Sequence, residues 1–131
     1  ITMPLIDNES KRSSIEQARI QLEQNKLSKQ QQQQQVVKEI RNATRNLDEA
    51  ANQIAIGEAS LQLAERTYEI EQSRFELGLA KSQDLLNAQN QLTQARIDGL
   101  NAIINYQRNL KDLRLATMAN LEELVSHSPN H

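Results

Sequence analysis

Cysteine is absent from the 131 residues. The chain therefore has no disulfide framework, no thiolate metal site and no cysteine nucleophile, and cysteine usage leaves its compartment open. Aromatic residues are scarce: Tyr68, Phe75 and Tyr106 are the full set, and tryptophan does not occur. Large rings supply much of the buried area of a globule, so a thick single core is not expected. Glycine occurs 3 times and proline 2 times, with no proline between Leu5 and Ser128. Sandwiches, barrels and loop-rich folds need turn residues about every 8–12 positions, so this scarcity excludes them. Charge of one sign is also lacking. Fifteen basic and 17 acidic residues are interspersed for a net −2, which leaves no electrostatic footprint for a nucleic-acid partner. No apolar run approaches the roughly 18–20 residues of a membrane-spanning helix, and no secretory leader pattern is present. The chain opens on Ile1 rather than Met, and is expected to be a piece of something longer.

What is present is helical periodicity. Residues 1–7 alone read as strand-like, because Ile1, Met3 and Leu5 alternate with Thr2 and Pro4. Pro4 cannot donate to a ladder, which confines such a strand to an edge. Asp7, Asn8 and Ser10 then offer helix N-cap chemistry, and Ser13 with Glu16 has capping-box spacing, so several helix starts stand open. From about residue 10 to Leu77 nothing stops a helix. Ile40, Ala43, Leu47, Ala50, Ile54, Gly57, Leu61, Ala64 and Tyr68 alternate steps of three and four without a slip, the seam of a coiled coil. Ile15, Ala18 and Leu22 keep that phase upstream, but Lys26, Lys29 and Gln33 interrupt it. The glutamine run 30–35 lies in this weak zone and reads as a solvated helix segment, since glutamine is a fair helix former. A helix of about 65 residues would be roughly 100 Å long, which calls for a coiled coil or bundle.

The break falls at Gly78, which suits the left-handed residue after a helix end, with Leu79 placed for the accompanying apolar contact. Ser82 can cap the next helix, and Asp84 lies in its first turn. The second seam is Leu85, Ala88, Leu92, Ala95, Gly99, Ala102, Tyr106, Asn109, Leu113 and Ala116. The two seams mirror each other about position 78. Tyr68 and Ala88 are equidistant from it, as are Ala64 and Leu92, Gly57 and Gly99, Ala50 and Tyr106, and Leu47 and Asn109. The expected fold is thus all-α, a long antiparallel coiled-coil hairpin with a short N-terminal strand remnant. The strand covers 1–7 and the hairpin 8–124, with helices at about 10–77 and 83–124, a tip at 78–82 and a disordered tail at 125–131. Ile56, Leu63, Ile70 and Leu77 recur every seven residues on another face of the first helix, and Ile97, Ile104 and Met118 do so on the second. Leu100, Ile103 and Leu110 also lie off the main seam, so these stripes imply further helix neighbours.

Catalytic chemistry is not legible. No phosphate loop, dinucleotide fingerprint, HExxH or nucleophile elbow occurs, and neither an enzyme activity nor a cofactor is expected. His127 and His131 are four apart, but Pro129 between them disfavours the helix a metal pair would need, so no metal site is read. Asn8-Glu9-Ser10 and Asn42-Ala43-Thr44 match the glycosylation pattern, a match common by chance. Glu65, Glu69, Glu71 and Glu76 read as a solvated face with Arg66 and Arg74. From the residues alone, Asp84 is a carboxylate favoured by the helix dipole.

The stretch 68–117 contains R-F-x-x-G-L, then D-L-L-N-A-Q-N-Q-L, then A-x-x-x-Y-x-x-x-L. It resembles the C-terminal repeat of TolC-type outer-membrane efflux proteins, and ITMPLID followed by a long Ala/Gln-rich helix is similar to that family's last barrel strand entering its periplasmic helix. The resemblance covers the chain to about residue 118. It implies a trimer with an outer-membrane β-barrel and a helical tunnel across the periplasm, of which this chain would be the second half-repeat, cut mid-strand. It implies the channel component of a tripartite efflux or type I secretion system. The tip residues Arg74, Gly78, Leu79 and Ala80 would meet a periplasmic adaptor linked to an inner-membrane pump. Asp84 aligns with a carboxylate at the inner constriction, where three copies would form an acidic ring. Asn87 stands where the family can have a second carboxylate, and Ala80 where it can have a basic residue. The departure at Ala80 counts against a salt-bridged gate. The competing reading is a structural coiled-coil hairpin with no pore, mediating protein–protein contacts.

Overall fold

The computed structural model describes residues 3–126. It contains two helices, α1 (Met3–Glu76) and α2 (Ser82–Ser126), and no strand among the described residues. Both helices are rich in Ala, Leu, Gln, Glu, Lys and Arg, the best helix formers, and prolines are absent from their interiors. Mid-helix hydroxyls do not compete with the ladder. Ser14, Thr44, Thr67, Ser73, Thr93 and Thr117 each donate back to the carbonyl four residues earlier at 2.8–3.0 Å. No helix is long and apolar enough to cross a membrane among the described residues.

The strand expected over 1–7 is not formed where the structure describes it: Met3–Asp7 are already helical. A lone extended segment leaves its backbone groups unpaired, whereas a helix satisfies them locally. Pro4 falls in the first turn, where a missing N–H removes no helix bond. Ile1 and Thr2, and the tail with His127, Pro129 and His131, lie outside the described residues. The second helix reaches Ser126, slightly beyond the expected end near Leu124.

The chain divides into two units, Ile1–Glu39 and Ile40–His131. In the first, side chains from Leu5 to Glu39 are exposed apart from half-buried Val36. Ile15, Ala18 and Leu22, the upstream continuation of the seam, are exposed here, and the glutamine run 30–35 is a solvated part of α1.

The second unit is the hairpin. Every seam position from Ile40 to Tyr68 and from Leu85 to Ala116 is half-buried or buried, and among the described residues the buried side chains are Ala50, Ala88 and Leu92, at 2%, 4% and 7% exposure. The two alanines are those the mirror places opposite Tyr106 and Tyr68, where a small side chain leaves room for a ring. A Cβ added to Gly57 would lie 3.4 Å from the Gly99 Cα, so the backbones meet at the predicted register. Asn109, the polar seam residue, donates through Nδ2 to the Asn46 carbonyl at 3.4 Å. The off-seam rows remain in water. Ile56, Leu63, Ile70, Ile97, Leu100, Ile103, Ile104 and Met118 are all about half exposed or more, while Leu110 is half-buried.

Candidate functional site

The tip is built from helix-end physics. Gly78 has φ +71°, the one positive φ among the described residues. Its N–H donates to the Phe75 carbonyl at 2.9 Å, and the Leu79 N–H donates to the Arg74 carbonyl at 2.7 Å. This pair of bonds is a Schellman motif, which satisfies carbonyls that the helix end would otherwise orphan. Leu79 stays largely exposed, so the accompanying apolar contact adds little, whereas Ala80 is half-buried.

The second helix starts differently from the expected Ser82 cap. The Lys81 carbonyl accepts the first helical bonds, from the N–H groups of Asp84 and Leu85 at 3.0 and 3.4 Å, which makes Lys81 the capping residue. Asp84 Oδ2 reaches back to accept from the Lys81 N–H at 3.0 Å. That is the reverse half of a capping box, with Asp84 three residues into the helix where a carboxylate also meets the dipole's positive end. The cap is supplied by a downstream carboxylate rather than by the local hydroxyl.

A shallow groove above the tip is lined by Thr67, Glu71, Arg74, Asp84, Asn87 and Gln91, together with the seam residue Ala88. The structure thus brings three expected site residues together: Arg74, Asp84 and Asn87. Leu79 and Ala80 do not line the groove. Asn87 Oδ1 accepts from Gln83 Nε2 at 3.2 Å. Arg74 NH1 pairs with Glu71 Oε1 at 2.7 Å.

Glu71 corrects the sequence reading. It does not share the solvated face of Glu65, Glu69 and Glu76; its side chain is only 19% exposed, and Oε2 is buried with no hydrogen-bond partner. The signal was available, because Glu71 is the next three-residue step of the seam after Tyr68. On the opposite edge, Arg96 NH2 approaches Glu65 Oε1 at 4.0 Å, an exposed pair of little energetic weight. No group of three or more His, Cys, Asp or Glu side chains that could hold a metal occurs among the described residues.

Two long helices zipped by a seam of small and apolar side chains, turned at a single glycine, define an antiparallel coiled-coil hairpin protein whose polar groups organise the tip. Residues 1–118 match the family described as outer membrane efflux protein, so the chain belongs to that TolC-like family. Its members are outer-membrane transport proteins rather than enzymes. No curated protein and no solved structure matches the chain.

Proposed function

We propose that this chain builds part of a trimeric helical tunnel across the periplasm, within the channel component of a tripartite efflux or type I secretion system. One observation carries the reading. The hairpin's own seam is filled, yet Ile56, Leu63 and Ile70 of α1, Leu77 just past its end, and Ile97, Ile104 and Met118 of α2 remain exposed. Apolar rows of that length on both helices call for helical neighbours on both sides, as in a wall of hairpins. The tip, with Arg74, Gly78, Leu79 and Ala80, serves as the docking end for a periplasmic adaptor coupled to an inner-membrane pump. Asp84 contributes a carboxylate to an acidic ring at the periplasmic entrance, which favours cations. Asn87 adds a neutral polar group beside it, and with Ala80 carrying no charge, no cross-tip salt bridge closes the entrance.

A hairpin without a pore is the rival, and the engagement of Asp84 in the Lys81 cap is the observation in its favour. The full-length protein in planar bilayers separates the two. Asp84→Asn keeps a side-chain oxygen for the cap and removes the charge. The channel reading expects the reversal potential in a salt gradient to move toward weaker cation preference. An unchanged potential sinks the acidic ring, and a protein that conducts nothing sinks the tunnel.

A further inference from the structure

Glu71, Arg74 and Asp84 stand within one helical turn of each other just above the tip. Asp84 lies six positions past Gly78, which puts it level with position 72 of α1. Arg74 is two residues from that level, an axial offset of about 3 Å, and Glu71 is one residue from it. All three line the same groove, so one guanidinium serves a level that holds two carboxylates. Arg74 pairs with Glu71, Nη1 to Oε1 at 2.7 Å, and forms no ion pair with Asp84, whose Oδ2 accepts from the Lys81 N–H at 3.0 Å.

Burial decides which carboxylate holds the arginine. Glu71 stands on the seam, level with half-buried Leu85; its side chain is 19% exposed and Oε2 is buried with no hydrogen-bond partner. Asp84 is exposed. A carboxylate denied water needs a counter-charge, whereas an exposed one is solvated. Stability does not account for a glutamate at this level. An apolar side chain would meet Leu85 with no charge to desolvate, a replacement that commonly leaves stability unchanged or raises it. We infer that Glu71 is a positioning residue: it keeps the Arg74 guanidinium on α1 and thereby leaves the Asp84 charge uncancelled in the groove. Arg74 is 52% exposed and joined to Glu71 by a single hydrogen bond, so removing Glu71 frees it to pair with Asp84. The inference itself needs no pore. On the tunnel reading it gives Glu71 control over the charge that Asp84 presents at the entrance.

Asp84→Asn made in three backgrounds of the full-length protein tests this: the parent, Glu71→Leu, and Glu71→Leu with Arg74→Met. Leucine suits the seam opposite Leu85, and methionine keeps an unbranched apolar stem without the charge. Each protein is read by its reversal potential in a salt gradient and by its helical melting midpoint in circular dichroism. Asp84→Asn weakens cation preference in the parent. It leaves the potential unchanged with Glu71→Leu, where Arg74 has already cancelled the charge. It weakens cation preference again once Arg74→Met removes the guanidinium, a return that loss of a merely structural glutamate does not produce. An equal shift in all three backgrounds overturns the inference while the Asp84 ring stands. No shift in any background overturns the ring, and the midpoints then decide. With Glu71→Leu in place, Arg74→Met and Asp84→Asn together lower the midpoint by less than the sum of their separate shifts; simple additivity there overturns the inference.

Discussion

At Gly78 a single backbone angle decides whether the chain can turn. Its φ of +71° lies in the left-handed region, and nothing crowds a Cβ there, so the constraint is conformational rather than spatial. Gly78→Val therefore costs about 1–2 kcal/mol from the left-handed penalty, with β-branching adding to it. Export in cells should fall with protein level unchanged; normal drug resistance at normal level would count against adaptor docking by this tip. Gly99 is the contrasting case. A Cβ there meets nothing within 4 Å, and its φ is not positive. Gly99→Ala should stabilise the chain by about 0.5–1 kcal/mol through helix propensity, read as a rise in thermal midpoint by circular dichroism. Gly57→Ala brings its Cβ to 3.4 Å from Gly99 and should gain less. Asp84 separates by charge and by acceptor. Asp84→Ala loses the bond to Lys81 and should cost about 1 kcal/mol by the same measurement, whereas Asp84→Asn retains most of it.

At the scale of the helix, the seam carries the energy. Leu92 is the largest buried side chain, and Leu92→Ala should destabilise by about 2–3 kcal/mol in chemical denaturation. Ala88→Leu should also destabilise, by about 1–3 kcal/mol, because the space opposite Tyr68 is already filled. Most of this element was readable beforehand. Every position named by the steps of three and four from Ile40 to Tyr68 lies inward, with Thr67 the one half-buried residue of that stretch outside them, and Gly57 and Gly99 meet where their distance from Gly78 put them. Two local features were not. The N-terminal alternation of Ile1, Met3 and Leu5 has strand period, but a strand exists only with a ladder partner, and local helix bonds win over 3–7. The Lys81 cap was hidden because Ser82 has the better capping side chain, and the reach of Asp84 across three residues shows only in three dimensions.

For the molecule as a whole, the exposed rows matter more than the buried ones. Leu63 is 69% exposed and Leu77 74%, values at odds with a hairpin that works alone. Leu63→Asp should leave the hairpin's own helicity intact, since the residue lies off the seam, yet reduce the trimer fraction of the full-length protein in native mass spectrometry. Unchanged trimer yield would remove that row from the intersubunit contact. The site was less legible than the fold. The grouping of Arg74 with Asp84 and Asn87 follows from the turn and could be anticipated, but the seam placement of Glu71 was obscured by its charge.

The mirror register about Gly78 also bears on how such a hairpin can change length. A seven-residue deletion from α1 between Gly57 and the tip slides the levels beyond it past their partners and sets Gly57 against Leu92, and the same deletion from the facing stretch of α2 sets it against Tyr106. Removing seven residues from each helix at mirrored positions preserves azimuth and pairing together, and shortens the arm by about 10 Å. Reach is therefore quantised: the arm can lengthen or shorten with its pairing intact only in matched heptad pairs.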